Sequence, residues 1–572
     1  MLKRLFRSLR PARAPEENEA GIRLLRQNRP QEARHRFERA LAANPGYVPA
    51  WSNLGAVLWQ LRRSEESVAH FRQAVALDPD NADASVNLGE ALTLNDQPEE
   101  AAAVLEEALH RNPANSRAHA LLLRPLLELC AWRELEREIR LLVKAWERDP
   151  HGGWLKYFQA HTTLLLPLPP ALRHEIASRQ ARAVRERVAS LQAPRTSARR
   201  GGDARLRVGY VSGDFRNHAV GHLIAGLFER HDRSRFEVFG YSFGRDDGSD
   251  HRARIAAGLD RFADVGDEPF DATAARIARD GVQILVDLMG YTGRSRTEIF
   301  ALRPAPIQVN YLGYPGSMGA DFIDYVVADR EVIPATERRW FSERVVWMPA
   351  SYQANDDRQP IADVPPRGAC GLPEGAFVFC AFNGHIKVDR GTFDVWMRIL
   401  DAVQGSVLWL LAGHGERRLR DAAAAQGIDA GRLVFAPQLP KAAHLARHRH
   451  ADLFLDTGYY NAHTTASDAL WTGLPVLTCP GSTFAGRVGA SLLRAVGLPE
   501  LIVDDLRAYE AHALDLARHP QRLAELRAKL ETNRLRAPLF DTAGYARALE
   551  CAYATMWERH ATGRPPAPFS VG

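Results

Sequence analysis

The sequence predicts an α-helical repeat array followed by an α/β region that is built from two doubly wound lobes. Three observations carry this prediction. A period of 34 residues runs through the N-terminal part, short apolar runs alternate with helical segments from residue 205 onward, and a break rich in Pro and Gly at 365–373 divides that second part. With roughly 150 residues to a domain, a chain of 572 residues has room for these domains.

The N-terminal period is typical of tetratricopeptide repeats. In each repeat a small residue lets two helices approach closely, an aromatic or aliphatic residue fills the groove, and a proline ends the second helix. The 34-residue register covers residues 15–113. Residues 114–190 are helical in pattern but lose this register, and they are predicted to be degenerate repeats or capping helices. The repeat domain is therefore predicted over 15–190. The recurring positions are Gly21, Gly55 and Gly89; Phe37, Phe71 and Leu105; Ala40, Ala74 and Ala108; and Pro45, Pro79 and Pro113.

Stacked repeats of this kind present a concave face that binds peptides or partner proteins. Four side chains of the array have two interpretations, and the sequence leaves both open. They line this groove, or they are packing, turn and surface positions. They are Trp51, Asn53, Asn81 and Asn87.

The α/β part begins after a predicted linker at 192–204, which is rich in Pro, Ser, Gly and Arg. Alternating strands and helices predict parallel sheets in a first lobe over 205–365 and a second lobe over 371–560, with the helices of 505–560 crossing back over the first lobe. The predicted strands are 206–211, 236–243, 282–288, 307–312 and 323–327 in the first lobe, and 377–382, 407–411, 433–436, 453–456, 475–478 and 501–503 in the second.

The composition argues against several classes of protein. A net charge of +5, from 74 basic and 69 acidic residues, does not indicate a nucleic-acid binder. No apolar run is long enough to predict a membrane span and no secretory signal is visible, so the cytoplasm is the expected compartment. The five cysteines never form a CxxC pair, which argues against a disulfide framework and a zinc site. Neither GxGxxG after a strand nor GxxxxGK(S/T) occurs, which disfavours nicotinamide chemistry and P-loop hydrolysis.

Polar motifs follow several strand ends, where doubly wound lobes bind their ligands. In the first lobe, SGDFRNHAVGHL contains His218. In the second, TGYYNAHTTASDALWTG places Thr464 and Thr465 at the start of a helix, whose free N–H groups and hydroxyls form a phosphate cradle. Asp468, one turn inside that helix, suits ribose hydroxyls or pairs with Thr465 in a capping box.

Lysine is rare in this chain, with six lysines against 68 arginines, so a lysine at a strand end indicates a need for a compact ammonium. Lys387 follows the strand at 377–382, although an ordinary surface lysine is the alternative. Lys441, His444 and Arg447 follow the strand at 433–436. Together these loops predict a pyrophosphate nucleotide that is bound mainly by the second lobe.

These motifs carry a family resemblance. The segments RLRVGYVSGDFRNHAVGHL, ALRPAPIQVNYLGYPGSMGADFIDYVVAD, SVLWLL, DTGYYNAHTTASDALWTGLPV and FAGRVGASLL, behind a tetratricopeptide array, resemble the O-linked N-acetylglucosamine transferases, in particular a bacterial homologue. The resemblance implies a GT-B fold, a UDP-sugar donor, inversion at the anomeric carbon, Ser/Thr acceptors, no cofactor and no catalytic metal. Asp246 and Asp247, which could suggest a metal-binding DxD motif, lie among Gly and Ser and are predicted to form a turn.

The resemblance also assigns roles to residues. His218 would be the general base, and a neutral imidazole is chemically suited to take a hydroxyl proton. Proton removal by the donor's own phosphate stays an alternative. Lys387 would stabilise the charge on the departing diphosphate. The remaining implied roles are Asp280 as a second carboxylate for proton removal; His463, Thr464 and Thr465 at the pyrophosphate; Asp468 at the ribose; Leu439, Lys441, His444 and Arg447 at the uridine; and Leu312, Gly313 and Pro315 at the sugar.

The chain departs from the family at two places. Tyr460 stands where animal members carry a small cysteine beside the donor's acetamide, and Gly384-His385-Ile386 replaces a Gln-Leu-Tyr near the nucleotide. Three alternatives to transfer of N-acetylglucosamine to Ser or Thr therefore stay open: another UDP-hexose donor, an Asn or glycan acceptor, and a repeat scaffold with an inactive catalytic region. The expected partners are the UDP-sugar and polypeptides along the repeat groove, without nucleic acid or membrane, and an oligomer stays open.

Overall fold

The computed structural model of the chain describes residues 13–27, 29–61, 63–194 and 205–572. Most of the linker predicted over 192–204 lies outside the described residues. The chain forms two compact units, of which the first comprises Met1–Lys144 with His151–Phe158 and the second comprises Ala145–Pro150 with Gln159–Gly572. Among the described residues, no helix combines the length and the apolar character that crossing a membrane requires.

The first unit is a stack of helices. They are α1 Arg13–Arg26, α2 Pro30–Ala43, α3 Val48–Gln60, α4 Ser64–Leu77, α5 Ala82–Leu94, α6 Pro98–Arg111, α7 Ser116–Glu128 and α8 Trp132–Arg148. Consecutive helices from α1 to α7 pack against each other. A Cβ at Gly21 or Gly89 would lie 2.5 Å from the ring of Phe37 or from Leu105, so only glycine allows these helices to meet. The 34-residue period in the sequence therefore reflects the packing of neighbouring helices.

The sequence places four polar or aromatic side chains either in the groove or at packing, turn and surface positions. All four have hydrogen-bond partners inside the first unit. Each makes a hydrogen bond that a packing or capping residue would make, which favours the packing and turn interpretation. The pairs are Trp51 Nε1 with the Pro45 carbonyl (2.8 Å), Asn53 with Asn18 (2.8 Å), Asn81 with the Ala84 N–H (3.0 Å), and Asn87 with Arg117 (2.8 Å).

The first lobe of the second unit is built on an eight-stranded, wholly parallel sheet. Its strands are β1 Leu206–Ser212, β2 Phe236–Ser242, β3 Arg261–Asp264, β4 Ile284–Asp287, β5 Ile307–Asn310, β6 Tyr325–Ala328, β7 Arg344–Trp347 and β13 Phe569–Ser570. Their order across the sheet is β13-β7-β6-β5-β4-β1-β2-β3. Since β1 lies between β4 and β2, the chain winds in both directions from β1, and the loop that follows β1 stands at the switch point.

The second lobe has a five-stranded parallel sheet. Its strands are β8 Val378–Ala381, β9 Val407–Leu411, β10 Leu433–Ala436, β11 Leu453–Leu455 and β12 Val476–Leu477, in the order β10-β9-β8-β11-β12. The predicted strand at 501–503 forms only a single bridge, between Thr478 and Ile502. β8 and β11 are central neighbours, so the loops after them lie side by side at the ligand-binding edge.

Helices cover both sheets. They are α9 Ala160–Thr163, α10 Pro170–Val188, α11 Ala219–Arg230, α12 Asp250–Ala257, α13 Phe270–Arg279, α14 Thr297–Ala301, α15 Arg390–Ala402, α16 Glu416–Ala425, α17 Lys441–Arg447, α18 Thr464–Trp471, α19 Val488–Ala495, α20 Leu506–Arg518, α21 Pro520–Arg534 and α22 Thr542–Ala561. As the sequence predicts, the C-terminal helices cross back, and α22 packs on α11 of the first lobe. Buried hydrogen bonds connect α22 to the first lobe, between the hydroxyls of Tyr553 and of Tyr210 on β1 at 3.1 Å, and between Glu550 and His231, which follows α11, at 3.0 Å.

Helix α10 belongs to the second unit, although the sequence places it at the end of the repeat domain over 15–190. The helix packs against α14 of the first lobe. Arg187 pairs with Glu298 at 2.9 Å, and His174 Nδ1 lies 3.1 Å from the carbonyl oxygen of Trp340. The predicted fold class, a repeat array followed by two Rossmann-like lobes, is confirmed.

Candidate active site

The candidate site lies where parallel strands of both lobes end. His218 follows β1, Lys387 follows β8, and the loop Thr457–His463 follows β11. The two lobes meet here, because Gln353 of the first-lobe side donates to the Ser467 hydroxyl of α18 at 2.6 Å. Such an edge is the usual ligand crevice of doubly wound folds.

His218 is the N-terminal cap of α11. Its Nδ1 lies 3.3 Å from the Val220 N–H and 3.2 Å from Oδ2 of Asp214, which is buried. The side chain of His218 remains 39% exposed, so its ring can reach a ligand. Burial lowers the pKa of His218, with Asp214 opposing and Arg216 adding to the effect, so the imidazole is neutral at pH 7.

The loop that carries His218 is held by the neighbouring loop after β2. Asp247 accepts a hydrogen bond from the Asn217 N–H at 2.8 Å and from the Ser249 hydroxyl at 2.7 Å. Asp246 in turn accepts from the Gly248 N–H. These are turn contacts, as the sequence predicts for this acidic pair.

Lys387 ends a short 3-10 turn, His385–Lys387, after β8. Its Nζ donates to the Asn461 carbonyl at 3.0 Å and lies 4.4 Å from the centre of the Tyr460 ring. Burial lowers the pKa of Lys387 to about 8, and the carboxylate of Asp456 partly opposes this. A desolvated ammonium held in this way gains strongly from an anionic ligand.

Helix α18 begins at Thr464, with His463 before it. His463 Nε2 lies 3.0 Å from the Ala485 carbonyl, so this nitrogen carries the proton, and burial keeps the pKa of His463 well below its usual value. The Thr465 hydroxyl donates to Asn383 at 2.7 Å. The first N–H groups of α18 have no intrahelical acceptor, so this end can receive a phosphate.

Three buried residues that the sequence analysis missed hold this arrangement. Asp456 accepts from the N–H groups of Thr457 (2.8 Å) and Ala462 (2.6 Å), which bends the chain between β11 and α18. Burial raises the pKa of Asp456 to about 6. Asn383 and Asn461 are the other two, and each bonds within the same loops. The signal of Asp456 and Asn383 in the sequence is a polar side chain at the end of a strand, whereas Asn461 lies six residues beyond β11.

Asp468 and Lys441 contact each other. Lys441 Nζ lies 2.5 Å from Asp468 Oδ1, and both side chains are nearly buried. The capping-box alternative for Thr465 and Asp468 is wrong, because the Thr465 hydroxyl bonds to Asn383 instead. Among the residues that the structure describes, Oδ2 of Asp468 has no partner, so the ribose contact stays a prediction.

The residues predicted to contact the uridine differ in how far they are exposed. Leu439 is exposed in the loop before α17, and His444 is half-buried on that helix. Arg447 is 1% exposed and donates to the Pro437 carbonyl at 2.6 Å and to His444 Nδ1 at 2.5 Å. Its contact with the uridine stays a prediction. The donation from Arg447 to Nδ1 fixes His444 in the form that carries the proton on Nε2.

The residues predicted at the sugar follow β5. Leu312 has a φ of 71°, and a Cβ at Gly313 would collide with the Leu288 carbonyl, so the chain turns tightly here against the end of β4. Pro315 is buried behind this turn. In the second lobe, the ring of Tyr460 stacks on His463, with 4.5 Å between centroids.

Asp280 lies away from all of these residues. It follows α13 and precedes β4, and its carbonyl accepts from Arg207 at the beginning of β1, whereas His218 follows the end of β1. Its carboxylate accepts from the Tyr241 hydroxyl at 2.8 Å. The predicted catalytic role of Asp280 is therefore wrong, because the parallel sheet places it at the opposite edge.

Within the described parts of the chain, no group of three or more His, Cys, Asp or Glu side chains is arranged to hold a metal ion. The implied absence of a catalytic metal stays a prediction.

Comparison with known families gives matches along most of the chain. The pattern of glycosyl transferase family 41 matches residues 129–367 and 361–549. Two tetratricopeptide repeat patterns match residues 18–82 and 63–124.

Two relatives and one solved structure are informative. A probable UDP-N-acetylglucosamine–peptide N-acetylglucosaminyltransferase of Arabidopsis thaliana is 38% identical over 79% of this chain, and the corresponding Caenorhabditis elegans enzyme is 31% identical over 76%. The chain spans 48% of the length of each. The structure of an O-GlcNAc transferase mutant of Thermobaculum terrenum matches with a TM-score of 0.70 at 30% identity, over 96% of this chain and 98% of the other.

Proposed function

Because this chain belongs to glycosyl transferase family 41, we propose that it transfers N-acetylglucosamine from UDP-N-acetylglucosamine to Ser and Thr hydroxyls of polypeptides. The observation that carries the proposal is the pairing at one crevice of a partly buried ammonium, Lys387, with the free N-terminus of α18, while His218 stands at the strand ends of the facing lobe. The names of the relatives support the donor and the acceptor class.

In the proposed complex, the second lobe binds the nucleotide. The diphosphate lies at the N-terminus of α18, against the hydroxyl of Thr464 and the ammonium of Lys387. Asp468 accepts from a ribose hydroxyl through Oδ2. His444 presents its Nε2–H to a uracil carbonyl, since Arg447 occupies the other ring nitrogen. Leu439 and Lys441 complete the uridine side, and Gly313 and Pro315 border the sugar.

The proposed reaction is a displacement at the anomeric carbon with inversion. The acceptor oxygen forms the new bond as the bond from the anomeric carbon to the diphosphate oxygen breaks. Nε2 of His218 takes the acceptor proton, or the donor's own phosphate does. Lys387 and the helix terminus stabilise the charge on the departing UDP, the role for which a preorganised electrostatic site is effective. We propose that no metal or cofactor takes part.

We further propose that acceptor polypeptides bind along the repeat array, as partners do in such arrays. The expected compartment is the cytoplasm, without nucleic-acid or membrane partners. The oligomeric state stays open.

A second candidate keeps the fold and changes the substrates, with another UDP-hexose as donor or an Asn or glycan as acceptor. Tyr460 favours it, because this large ring stacks on His463 and contacts Lys387 within the crevice. An inactive scaffold is less well supported, since the residues proposed at the diphosphate remain together.

Mass spectrometry of Ser-, Thr- and Asn-containing peptides, incubated with the protein and either UDP-N-acetylglucosamine or UDP-glucose, tests these candidates. The proposal expects an N-acetylhexosamine increment on Ser or Thr that disappears in Lys387→Ala. A hexose increment or a modified Asn would support the second candidate instead. Absence of both product and UDP binding would support the scaffold.

A further inference from the structure

A separate cavity lies beside the candidate site, in the second unit. Its volume is about 60 Å³, and it is bordered by helix α10, by the turn after β5 and by the loop before α19. Two arginines line it from different elements, Arg173 from α10 and Arg487 from the loop. Neither has a place in the proposed transfer of the sugar.

Each guanidinium is fixed by one backbone carbonyl. Arg173 Nη1 donates to Leu168 at 2.6 Å, and Arg487 Nε donates to Gly481 at 3.1 Å. Within the part of the chain that the structure describes, neither makes a salt bridge. Each therefore keeps N–H donors without a protein acceptor, in the fork geometry that matches carboxylates and phosphates.

The charges around the cavity favour an anion. Glu337 lines the cavity and attracts both arginines, and Glu331, which lies outside the lining and pairs with Arg494, also attracts Arg487. The lining itself therefore carries one carboxylate and two guanidinium groups. Burial lowers the pKa of Arg173, and the charge of Arg487 lowers it further, so the two cations repel each other across a partly desolvated space. Guanidinium groups stay protonated in proteins, so an anion bound between them would relieve this repulsion beyond the attraction that Glu337 provides.

The size of the cavity limits the ligand. A volume of about 60 Å³ holds about four water molecules, which suits a carboxylate or phosphoryl group. Ser317, Ser482 and Thr483 also line the wall. The Ser317 hydroxyl donates to Glu343 at 2.8 Å and the Thr483 hydroxyl donates to the Tyr459 carbonyl at 3.3 Å, so of these three the exposed Ser482 is the one that can donate to a ligand. The cavity also borders Tyr314 and Pro315, and Pro315 belongs to the proposed sugar pocket as well.

We propose that Arg173 and Arg487 form a binding site for a carboxylate or phosphoryl group, and that an acidic side chain of the acceptor polypeptide supplies it. The assignment of the ligand to an acidic side chain of the acceptor rests on the proposed transferase function. The assignment of the two arginines as an anion-binding site does not, because a free anion such as phosphate has the same chemistry. The site would select acceptors with an acidic residue near the modified hydroxyl.

The test uses the full chain and two probes. Inorganic phosphate, compared with chloride at equal ionic strength, is expected to raise the thermal unfolding midpoint of the wild type. This shift is expected to disappear in Arg173→Gln and Arg487→Gln and to persist in Arg182→Gln, a control on the same helix whose exposed side chain pairs with Glu175. Arg173→Lys and Arg487→Lys keep the charge and are expected to retain part of the shift.

The second probe is a pair of Ser-containing peptides that differ only by Glu or Gln near the serine. KM for the Glu peptide is expected to be about fivefold lower, at equal kcat, and either Gln variant should abolish the difference. If the shift caused by phosphate depends on the arginines but the KM difference between the peptides does not, the site is assigned to a free anion. If neither probe depends on them, the proposal is overturned. UDP binding, measured in parallel, reports separately on the transferase proposal.

Discussion

His218 presents one ring nitrogen to two competing neighbours. Nδ1 faces the Val220 N–H, which needs an acceptor, and the Asp214 carboxylate, which needs a donor. If Nδ1 carries the proton toward Asp214, Nε2 is free to act as a base. If Nδ1 accepts from Val220, Nε2 carries the proton and cannot accept another. The carboxylate of Asp214 therefore decides whether His218 can take a proton from the acceptor.

Replacing Asp214 by Asn tests this assignment. The amide can donate to Nδ1, which favours the form with the proton on Nε2, so we expect kcat to fall about 100-fold while the dissociation constant of UDP is unchanged. Steady-state kinetics and calorimetric titration with UDP provide the measurement. An unchanged kcat would indicate that the donor's own phosphate takes the proton.

Lys387 predicts a pH dependence of donor binding. Its pKa is lowered to about 8, so the ammonium is present below pH 8 and is lost above it, and the neutral amine cannot offset the charge of a diphosphate. We expect the dissociation constant of UDP to rise by up to about tenfold per pH unit above pH 8. Titrations between about pH 6.5 and pH 9.5 measure this rise. Lys387→Arg, whose cation persists at these pH values, should remove it, and its persistence in that variant would contradict the assignment.

At the scale of elements, the close approach of α19 to the end of β11 positions the donor site. A Cβ at Gly489 would collide with the Asp456 carboxylate and the Thr478 hydroxyl. The Gly489 N–H also donates to Asn461 at 3.1 Å, and the Asn461 carbonyl holds Lys387. The helix, the loop and the ammonium of Lys387 are thus connected through one glycine.

Gly489→Ala is therefore expected to displace Asp456 and Asn461 together. We expect the dissociation constant of UDP to rise about tenfold and the free energy of unfolding to fall by about 1–3 kcal/mol, the usual cost of overpacking a core. Gly391→Ala is the matched control, since a Cβ there would meet the Asp389 carboxylate at 3.3 Å and the Leu506 side chain at 3.8 Å, without a collision. Equal UDP affinity in both variants would show that α19 does not position the donor site.

The helix–strand alternation in the sequence was sufficient to predict both sheets and the edge where the site lies. It could not predict β13, because two residues near the C-terminus carry no pattern and pair with β7, far earlier in the chain. The four-residue strands β3 and β7, each beginning with an exposed arginine, were missed for a similar reason. Lys387 and His463 follow β8 and β11, as the predicted strands indicate. The pairing of Lys441 with Asp468 depends on the contact between two helices and has no signature in either segment.

At the scale of the whole molecule, the division into two compact units predicts separable functions. All residues proposed at the donor lie in the second unit, and the groove proposed for acceptors lies in the first. A variant that comprises residues 159–572 is therefore expected to bind UDP with the affinity of the full chain and to glycosylate short peptides at a similar kcat/KM.

Long acceptors should behave differently in the same variant. A polypeptide that contacts both the array and the catalytic crevice gains from two linked sites, so its kcat/KM should fall about tenfold or more when the array is removed. Radiolabel transfer to an unfolded protein and to a short peptide from it, compared in the full chain and the variant, measures the difference. Lys387→Ala in the full chain is the control, because this variant is expected to bind acceptors through the array but not to transfer the sugar. An equal loss for both acceptors would indicate a structural role for the array, and no loss for either would place all acceptor recognition in the second unit.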